Sequence, residues 1–206
     1  MENVWLKNYP SGVPAEIDPD AYQSLIDVFN QTCQQYGKSP AFYNLGVTLT
    51  FDDINRLSKA FAAWLQSGLT LKKGDRIAVM LPNVLQYPVA IFGALLAGLT
   101  VVNVNPLYTV PELIHQLNDS GAETILVLAN FAGVVNEALP QTKLKHVITT
   151  KMGDMFPQPK SFLIDFYLKY ISKKIPNVTI PQSISFKSAL AKGKKLHDKR
   201  ESIKKK

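Results

Sequence analysis

Residues 71–109, LKKGDRIAVMLPNVLQYPVAIFGALLAGLTVVNVNPLYT, decide the fold because they place a strand, a helix and a second strand in succession. The short β-branched and apolar run at residues 76–81 predicts a buried strand. Residues 84–97 are apolar over most of a helical surface, and Gly98 stands where a left-handed cap would end the helix. Residues 100–104 predict a second buried strand. The stretch therefore predicts a right-handed βαβ crossover between parallel strands.

The same alternation of strand and helix continues toward the carboxyl terminus. A capping box formed by Thr109 and Glu112 predicts the start of the next helix. Strands are predicted over residues 123–128 and 146–149, on either side of a helix over about residues 131–139. This order is typical of an α/β fold, with a mainly parallel sheet and helices on both faces.

The residues before this region predict two helices and a small amino-terminal hairpin. The first helix is expected over about residues 18–35, and two strand-like runs at 41–44 and 47–50 are expected to form the hairpin. Thr50 and Asp53 form a variant of the capping box, so the second helix is expected to begin there.

Charge divides the chain into an acidic body and a basic end. Residues 1–150 carry 9 Lys and Arg against 12 Asp and Glu, whereas residues 151–206 carry 14 against 4. The basic end could bind anionic lipid or nucleic acid, or it could simply be exposed to solvent. A single cysteine, Cys33, excludes an internal disulfide, and the amino terminus lacks the blocks of a signal peptide. We therefore expect a cytoplasmic protein.

These patterns predict three segments. Residues 1–150 form the α/β body, and residues 151–191 form an amphipathic extension that prolines interrupt. Residues 192–206 are rich in charge and poor in apolar side chains. We expect the compact fold to end near residue 192 and the remaining residues to be mobile.

Polar side chains follow the second strand of the opening stretch. Our candidates for the vicinity of a substrate are Asn103, Asn105, Pro106 and Tyr108. They follow the carboxyl end of a parallel strand, where open α/β sheets bind ligands. The alternative, which we favour, is that the asparagine side chains satisfy backbone groups of the loop.

No residue pattern predicts a catalytic or metal site. The three histidines, His115, His146 and His197, are widely spaced and have no cysteine partners, which disfavours zinc. No serine has the nucleophile-elbow pattern. Gln86 is the one strongly polar residue between residues 84 and 102, and no function is predicted for it.

Residues 159–176, PKSFLIDFYLKYISKKIP, form a dense apolar and aromatic block edged by lysines. As a helix, the block would place an apolar face on a lipid surface and its cations at the level of the headgroups. Packing against protein explains the pattern equally well. The membrane-contact candidates are Phe162, Phe166, Tyr170, Lys169, Lys173 and Lys174.

Several motifs in order resemble the adenylate-forming, AMP-binding enzymes and, more narrowly, the bacterial long-chain fatty acyl-CoA synthetases. They are LTFDDINRLSKAFAAWLQ from Leu49, GDRIAVMLPN from Gly74 and AGLTVVNVNPLYT from Ala97. The likeness extends from VWLKNYP at Val4 to ISFKSAL at Ile184, so it covers nearly the whole chain.

The resemblance implies an enzyme that activates a fatty acid with ATP and Mg²⁺ and then transfers the acyl group to CoA. The family's glycine-rich phosphate loop is expected within a few residues after Lys206. Residues 191–195, AKGKK, contain one glycine and cannot cradle a triphosphate. We therefore expect the amino-terminal part of such an enzyme, inactive alone, binding none of these ligands tightly, with the carboxyl-terminal remainder as its partner.

A rival interpretation is a noncatalytic α/β binding module whose basic, amphipathic tail contacts a membrane or nucleic acid. Aromatic side chains interleaved with lysines could stack on bases. Nucleic acid is disfavoured because the aromatics fall within one apolar block, apart from the terminal lysines. For a synthetase, the same tail would suggest peripheral attachment to the inner face of the plasma membrane.

Overall fold

A computed structural model describes residues 4–176, 178 and 180–204. The strands within these residues are β1 (Pro40–Asn44), β2 (Val47–Thr50), β3 (Arg76–Met80), β4 (Thr100–Asn103), β5 (Thr124–Leu128), β6 (His146–Thr150) and β7 (Ile184–Ser185). The α-helices are α1 (Leu25–Tyr36), α2 (Phe51–Gly68), α3 (Gln86–Leu96), α4 (Val110–Ser120), α5 (Ala132–Ala138), α6 (Lys160–Phe166) and α7 (Phe186–Lys204).

Five strands form one sheet in the order β4-β3-β5-β6-β7, and every neighbouring pair is parallel. Ile77 of β3 lies beside Val101 of β4 on one side and Thr124 of β5 on the other. β1 and β2 form the predicted antiparallel hairpin apart from this sheet. The α/β class predicted from the alternating pattern is confirmed, and the carboxyl ends of the parallel strands lie at one edge.

Helices cover both faces of the sheet and close two apolar cores. Ile77 and Val79 of β3 contribute to the core beneath α1, α2, α3 and α7, together with Phe61 of α2. Ala78 and Met80 contribute to the other core, beneath α4 and α5. Successive side chains of β3 thus alternate between two cores, which is the pattern of a strand buried on both faces.

The first helix begins later than predicted. α1 starts after Ser24, whose hydroxyl accepts a hydrogen bond from the Asp27 amide at 3.1 Å. The expectation of a helix from residue 18 is wrong, because Asp18 caps only a local turn by accepting from the Asp20 amide at 2.9 Å. Both side chains are good caps, and the serine prevails because the buried apolar face of α1 comes after it.

The two predicted capping boxes open α2 and α4. The Thr50 hydroxyl accepts from the Asp53 amide at 3.2 Å, and the Asp53 carboxylate accepts from the Thr50 amide at 3.2 Å. At α4, the Glu112 carboxylate accepts from the Thr109 amide at 2.8 Å and from its hydroxyl at 2.7 Å. These hydrogen bonds hold the pKa of Glu112 below its ordinary value.

The last helix, α7, continues beyond residue 192, where the sequence analysis expected the compact fold to end. Phe186 meets the Phe61 ring of α2 edge-on, with 4.9 Å between the ring centroids. Farther along, Gly193 is buried against the Ala60 carbonyl of α2, where any side chain would collide with that carbonyl. The expectation that the compact fold ends near residue 192 is therefore wrong as far as Gly193. This lysine-rich helix packs on α2 through its few small and aromatic residues. Residues 205 and 206 lie outside the described residues.

Candidate functional site

The asparagines of the candidate loop hold the loop together. The Asn103 side-chain oxygen accepts from the Tyr87 hydroxyl at 3.0 Å, and the Asn103 carbonyl accepts from the Gln116 side chain at 3.0 Å. The Asn105 side-chain oxygen accepts from the Leu107 amide at 3.0 Å, which closes an Asx-type turn. The Asn105 oxygen thus serves the loop backbone, as the structural alternative expects, whereas the Asn103 oxygen serves a side chain of α3.

The other two candidates, Pro106 and Tyr108, are half-buried at the same end of β4. Tyr108 packs against the core beneath α4 and α5, and its amide donates to the Asn105 carbonyl at 3.1 Å. Leu107, between them, is 80% exposed. The four candidates share one stretch of chain at the carboxyl edge of the sheet, where Asn103, Asn105 and Tyr108 each have a different partner.

A buried polar network that the sequence pattern did not predict lies at the same edge. The Gln86 side chain is fully buried, and its amide group donates to the Lys151 carbonyl at 2.7 Å and to the Thr150 hydroxyl at 3.3 Å. The Asp154 carboxylate accepts from that hydroxyl at 2.9 Å and from the Lys151 amide at 2.8 Å. The network ties the first turn of α3 to the end of β6.

The first two residues of α3 thus contact the carboxyl ends of two different strands, β6 and β4. Gln86 reaches the end of β6, while Tyr87 reaches Asn103 at the end of β4. The signal in the sequence was the polarity of Gln86 within an apolar stretch. Its partners could not be predicted, because 64 residues separate Gln86 from Thr150.

The aromatic block predicted near residue 159 is helical and exposed. α6 is followed by a π-helical turn, Tyr167–Ile171, and Phe162, Phe166 and Tyr170 are 63%, 44% and 60% exposed. The Phe162 and Phe166 ring centroids are 5.9 Å apart, and those of Phe166 and Tyr170 are 5.0 Å apart. The structure therefore brings these three candidates into one row, which we call the aromatic row.

A second exposed row lies beside the aromatic row. Its residues belong to the predicted apolar block but were not among the membrane-contact candidates. It consists of Leu163, Tyr167 and Ile171, which are 59%, 53% and 62% exposed. Of the lysine candidates, Lys169 lies over the Tyr170 ring at 5.3 Å from its centroid, and Lys173 and Lys174 are exposed just after the turn. No helix in the described part of the chain combines the length and apolarity needed to cross a bilayer.

The opposite side of α6 anchors this surface to the fold. Ile164 packs against the larger core, and the Asp165 carboxylate accepts from the Gly153 amide at 2.9 Å. Burial raises the pKa of Asp165, the Gly153 hydrogen bond lowers it, and the nearby Asp154 charge raises it. Within residues 4–176, 178 and 180–204, no cluster of three or more His, Cys, Asp or Glu side chains could hold a metal ion.

In comparison with protein families, residues 29–177 match the family described as AMP-binding enzyme. Among curated proteins, the chain is 53% identical to the long-chain-fatty-acid–CoA ligase of Escherichia coli O157:H7 over 193 residues. It is 45% identical to that of Haemophilus influenzae over 194 residues. Each alignment covers 94% of this chain but 34% of the relative, so the chain spans about a third of their length and corresponds to the amino-terminal portion.

Solved structures show the same fold. A long-chain-fatty-acid-CoA ligase from Archaeoglobus fulgidus has a TM-score of 0.57 at 27% identity, covering 68% of this chain and 29% of that one. An anthranilate CoA ligase in complex with anthranoyl-AMP has a TM-score of 0.65 at 15% identity, covering 82% of this chain and 28% of that one. The second likeness concerns the fold alone.

Proposed function

We propose, since this chain belongs to the AMP-binding enzyme family, that it forms the amino-terminal part of a long-chain-fatty-acid–CoA ligase. The observation that carries the proposal is the identity to the Escherichia coli ligase along almost the whole chain. The complete enzyme would use ATP and Mg²⁺ to activate a fatty acid and would transfer the acyl group to CoA. Fatty acid, ATP and CoA are therefore the proposed substrates of the whole enzyme.

Within that enzyme, this chain would act as one wall of the substrate site. The position of Asn103, Asn105, Pro106 and Tyr108 at the carboxyl edge of a parallel sheet supports this assignment. Their internal hydrogen bonds suit residues that shape the wall rather than residues that react. Gln86 would act as a positioning residue, because it holds the end of β6 against α3.

Alone, the chain would be inactive and would bind none of the three substrates tightly. Phosphoryl chemistry needs donors aimed at the developing charge, and loss of one such donor typically costs on the order of a hundredfold in rate. The chain covers about a third of its relatives. The remaining portion would supply the missing donors and is the proposed partner.

An in-frame chimera tests the proposal. The chimera joins this chain to the remaining two thirds of the Escherichia coli ligase, replacing the aligned residues. We expect oleoyl-CoA formation within about tenfold of the natural ligase, and none from the remaining two thirds alone. A folded, soluble chimera without oleate-dependent activity would contradict the proposal.

A second function, attachment to the anionic inner face of the plasma membrane, is favoured by the exposed rows on α6. Large apolar side chains line up there with lysines beside them, as in interfacial helices. The apolar residues would enter the headgroup boundary while Lys169, Lys173 and Lys174 meet lipid phosphate. The chain would then be cytoplasmic and peripheral, and a noncatalytic role in membrane binding would not need the rest of the enzyme.

Vesicle sedimentation tests the attachment. Changing Phe162, Phe166 and Tyr170 to serine should abolish binding to vesicles that contain anionic lipid. Leu107→Ser removes an exposed apolar side chain elsewhere and should leave binding unchanged. Added salt should weaken binding of the unchanged chain, because the lysines contribute through screened charge. Equal binding by the triple variant would exclude this surface.

A further inference from the structure

The β1-β2 hairpin carries no charge and exposes large apolar side chains at its tip. Residues 40–50 contain no Asp, Glu, Lys or Arg. Leu45, in the turn, is 56% exposed, and Tyr43, which precedes the turn, is 72% exposed. The other side of the hairpin belongs to the fold, since Val47 and Leu49 pack in the larger core. The tip therefore presents apolar surface that the described residues leave exposed.

The turn holds a leucine in a backbone conformation that suits other residues better. Leu45 has a φ of 46° and Gly46 a φ of 75°, both positive, as in the type I′ turn of a two-residue hairpin loop. Asparagine, aspartate and glycine are favoured at the first position, because a larger side chain there crowds the following carbonyl. Neither the turn nor the core therefore accounts for an exposed leucine at this position.

Hydrogen bonds fix the hairpin tip beside the first turn of α6. The Lys160 ammonium group donates to the Leu45 carbonyl. Gly46 lies so close to the same group that a Cβ there would be 2.9 Å from Nζ. Before the turn, the Asn44 side chain donates to the Asn83 carbonyl at 3.0 Å. The tip is thus held against α6 and against the loop that follows β3.

This contact places the tip next to the second exposed row of α6. Residues i, i+3 and i+7 share one face of a helix, so Lys160 lies on the face that carries Leu163 and Tyr167. Leu163 and Tyr167 are 59% and 53% exposed. The exposed apolar surface of the hairpin and that of α6 are therefore neighbours, and the lysine joins them.

The chain around this surface is basic. Residues 159–176 carry four lysines and one aspartate, and the hairpin adds no charge. The aspartate, Asp165, is half-buried and accepts from the Gly153 amide, whereas Lys169, Lys173 and Lys174 are exposed. Apolar side chains beside exposed cations complement the apolar boundary and the anionic headgroups of a lipid surface.

We propose that the hairpin tip and α6 form one lipid-binding face, in which Leu45 and Tyr43 enter the headgroup boundary together with the second exposed row. The hairpin thereby adds a second element to the attachment proposed above for α6, on which it rests. One helix alone would leave the protein free to rotate about the helix axis on the membrane. A second contact, fixed to the helix through Lys160, would set a single orientation.

Leu45→Asn separates lipid contact from a role in the turn. Asparagine adopts the left-handed conformation more readily than leucine, so the melting temperature should stay the same or rise. Sedimentation with vesicles of phosphatidylglycerol and phosphatidylcholine should need about fivefold more lipid for half-maximal binding. Leu107→Asn, the same change at an exposed leucine elsewhere, should stay within about twofold of the unchanged chain. Binding by Leu45→Asn equal to that of the unchanged chain would overturn the proposal.

A dye at the hairpin tip reports the contact independently of that variant. Leu45→Cys combined with Cys33→Ala leaves one thiol for an environment-sensitive naphthalene dye. Its emission should shift to the blue when the same vesicles are added, whereas a dye at Leu107→Cys in the same background should not respond. Unshifted emission from position 45 at saturating lipid would contradict the contact.

The same dye distinguishes lipid from protein as the partner of the tip. In the chimera with the remaining two thirds of the Escherichia coli ligase, emission from position 45 should again shift only when vesicles are added. Blue-shifted emission before their addition would show that the rest of the enzyme covers the tip, and the proposal would be wrong.

The hairpin contact and the α6 attachment fail in different ways. If the variant with serine at Phe162, Phe166 and Tyr170 binds vesicles as the unchanged chain does, the attachment through the aromatic row is excluded, and the shared face falls with it. If that variant loses binding while Leu45→Asn keeps it, α6 binds lipid without the hairpin, and only the hairpin contact is excluded.

Discussion

At the scale of single residues, polar side chains at the carboxyl edge are committed to the fold. The sequence favoured loop backbone groups as the partners of Asn103 and Asn105. The Asn105 oxygen accepts from the Leu107 amide of the loop, whereas the Asn103 oxygen accepts from the Tyr87 hydroxyl of α3. The sequence could not predict the partners of Gln86, because local pattern carries no information on contacts across 64 residues. Ligand contact by the loop residues stays a prediction.

Gln86→Leu should be markedly destabilising although leucine fits an apolar surrounding. The change leaves the Lys151 carbonyl and the Thr150 hydroxyl without the donor they use, at a cost of about 1–3 kcal/mol. Chemical denaturation monitored by circular dichroism measures it. Gln31→Leu, on the exposed face of α1, should cost less than about 0.5 kcal/mol. Equal effects of the two changes would mean that the buried network contributes nothing.

Asp165→Asn should change how stability depends on pH. Burial raises the pKa of Asp165 above its ordinary value of 3.8, so above that pH the folded state holds more of this proton than the unfolded state. Stability from this group therefore falls as pH rises through the folded-state pKa. The variant should gain stability relative to the unchanged chain between pH 3.8 and neutrality.

Urea denaturation across that pH range measures the effect of Asp165→Asn. Asp119→Asn, which removes an exposed carboxylate on α4, serves as the control for the change of charge. A pH-independent difference between Asp165→Asn and the unchanged chain would show that the Asp165 carboxyl titrates alike in the folded and unfolded states.

At the scale of elements, the first residue of a helix could be predicted from the local sequence only where a single capping residue was available. The Thr50 and Thr109 boxes were predicted and are present. The predicted start of α1 was wrong because both Asp18 and Ser24 can cap a helix, and the position of the buried apolar face decides which of them does. The contact of α7 with α2 escaped prediction because it depends on a glycine within a lysine-rich run.

Gly193→Ala should destabilise the packing of α7 on α2. The added methyl group would collide with the Ala60 carbonyl and touch the Trp64 side chain, and such overpacking costs about 1–3 kcal/mol. Gly133→Ala is the same change in α5, where the nearest atom lies 3.9 Å away, and it should be neutral or stabilising by up to about 1 kcal/mol. Thermal denaturation compares them, and equal melting temperatures would contradict the close contact.

At the scale of the whole molecule, the parallel sheet with two covered faces was predictable. Residues 71–109 and the capped helix after them predicted the succession of strands and helices, since parallel neighbouring strands need a helical crossover. Only the central strands β3 and β5 are buried along nearly their whole length, whereas β4 and β7 at the two sides of the sheet are half-buried or exposed. The exposed rows of α6 were predicted as apolar, but their partner was not, because lipid and protein surfaces select the same side chains.

The central proposal is that this chain would form one wall of a fatty acid–CoA ligase and would not carry out the reaction without the rest. Oleoyl-CoA formation by the purified chain with oleate, Mg²⁺-ATP and CoA tests it most directly, with the chimera as the positive control. The account predicts no product above the enzyme-free background. Sustained turnover by the chain alone, abolished by Gln86→Leu and free of contaminating ligase, would contradict it.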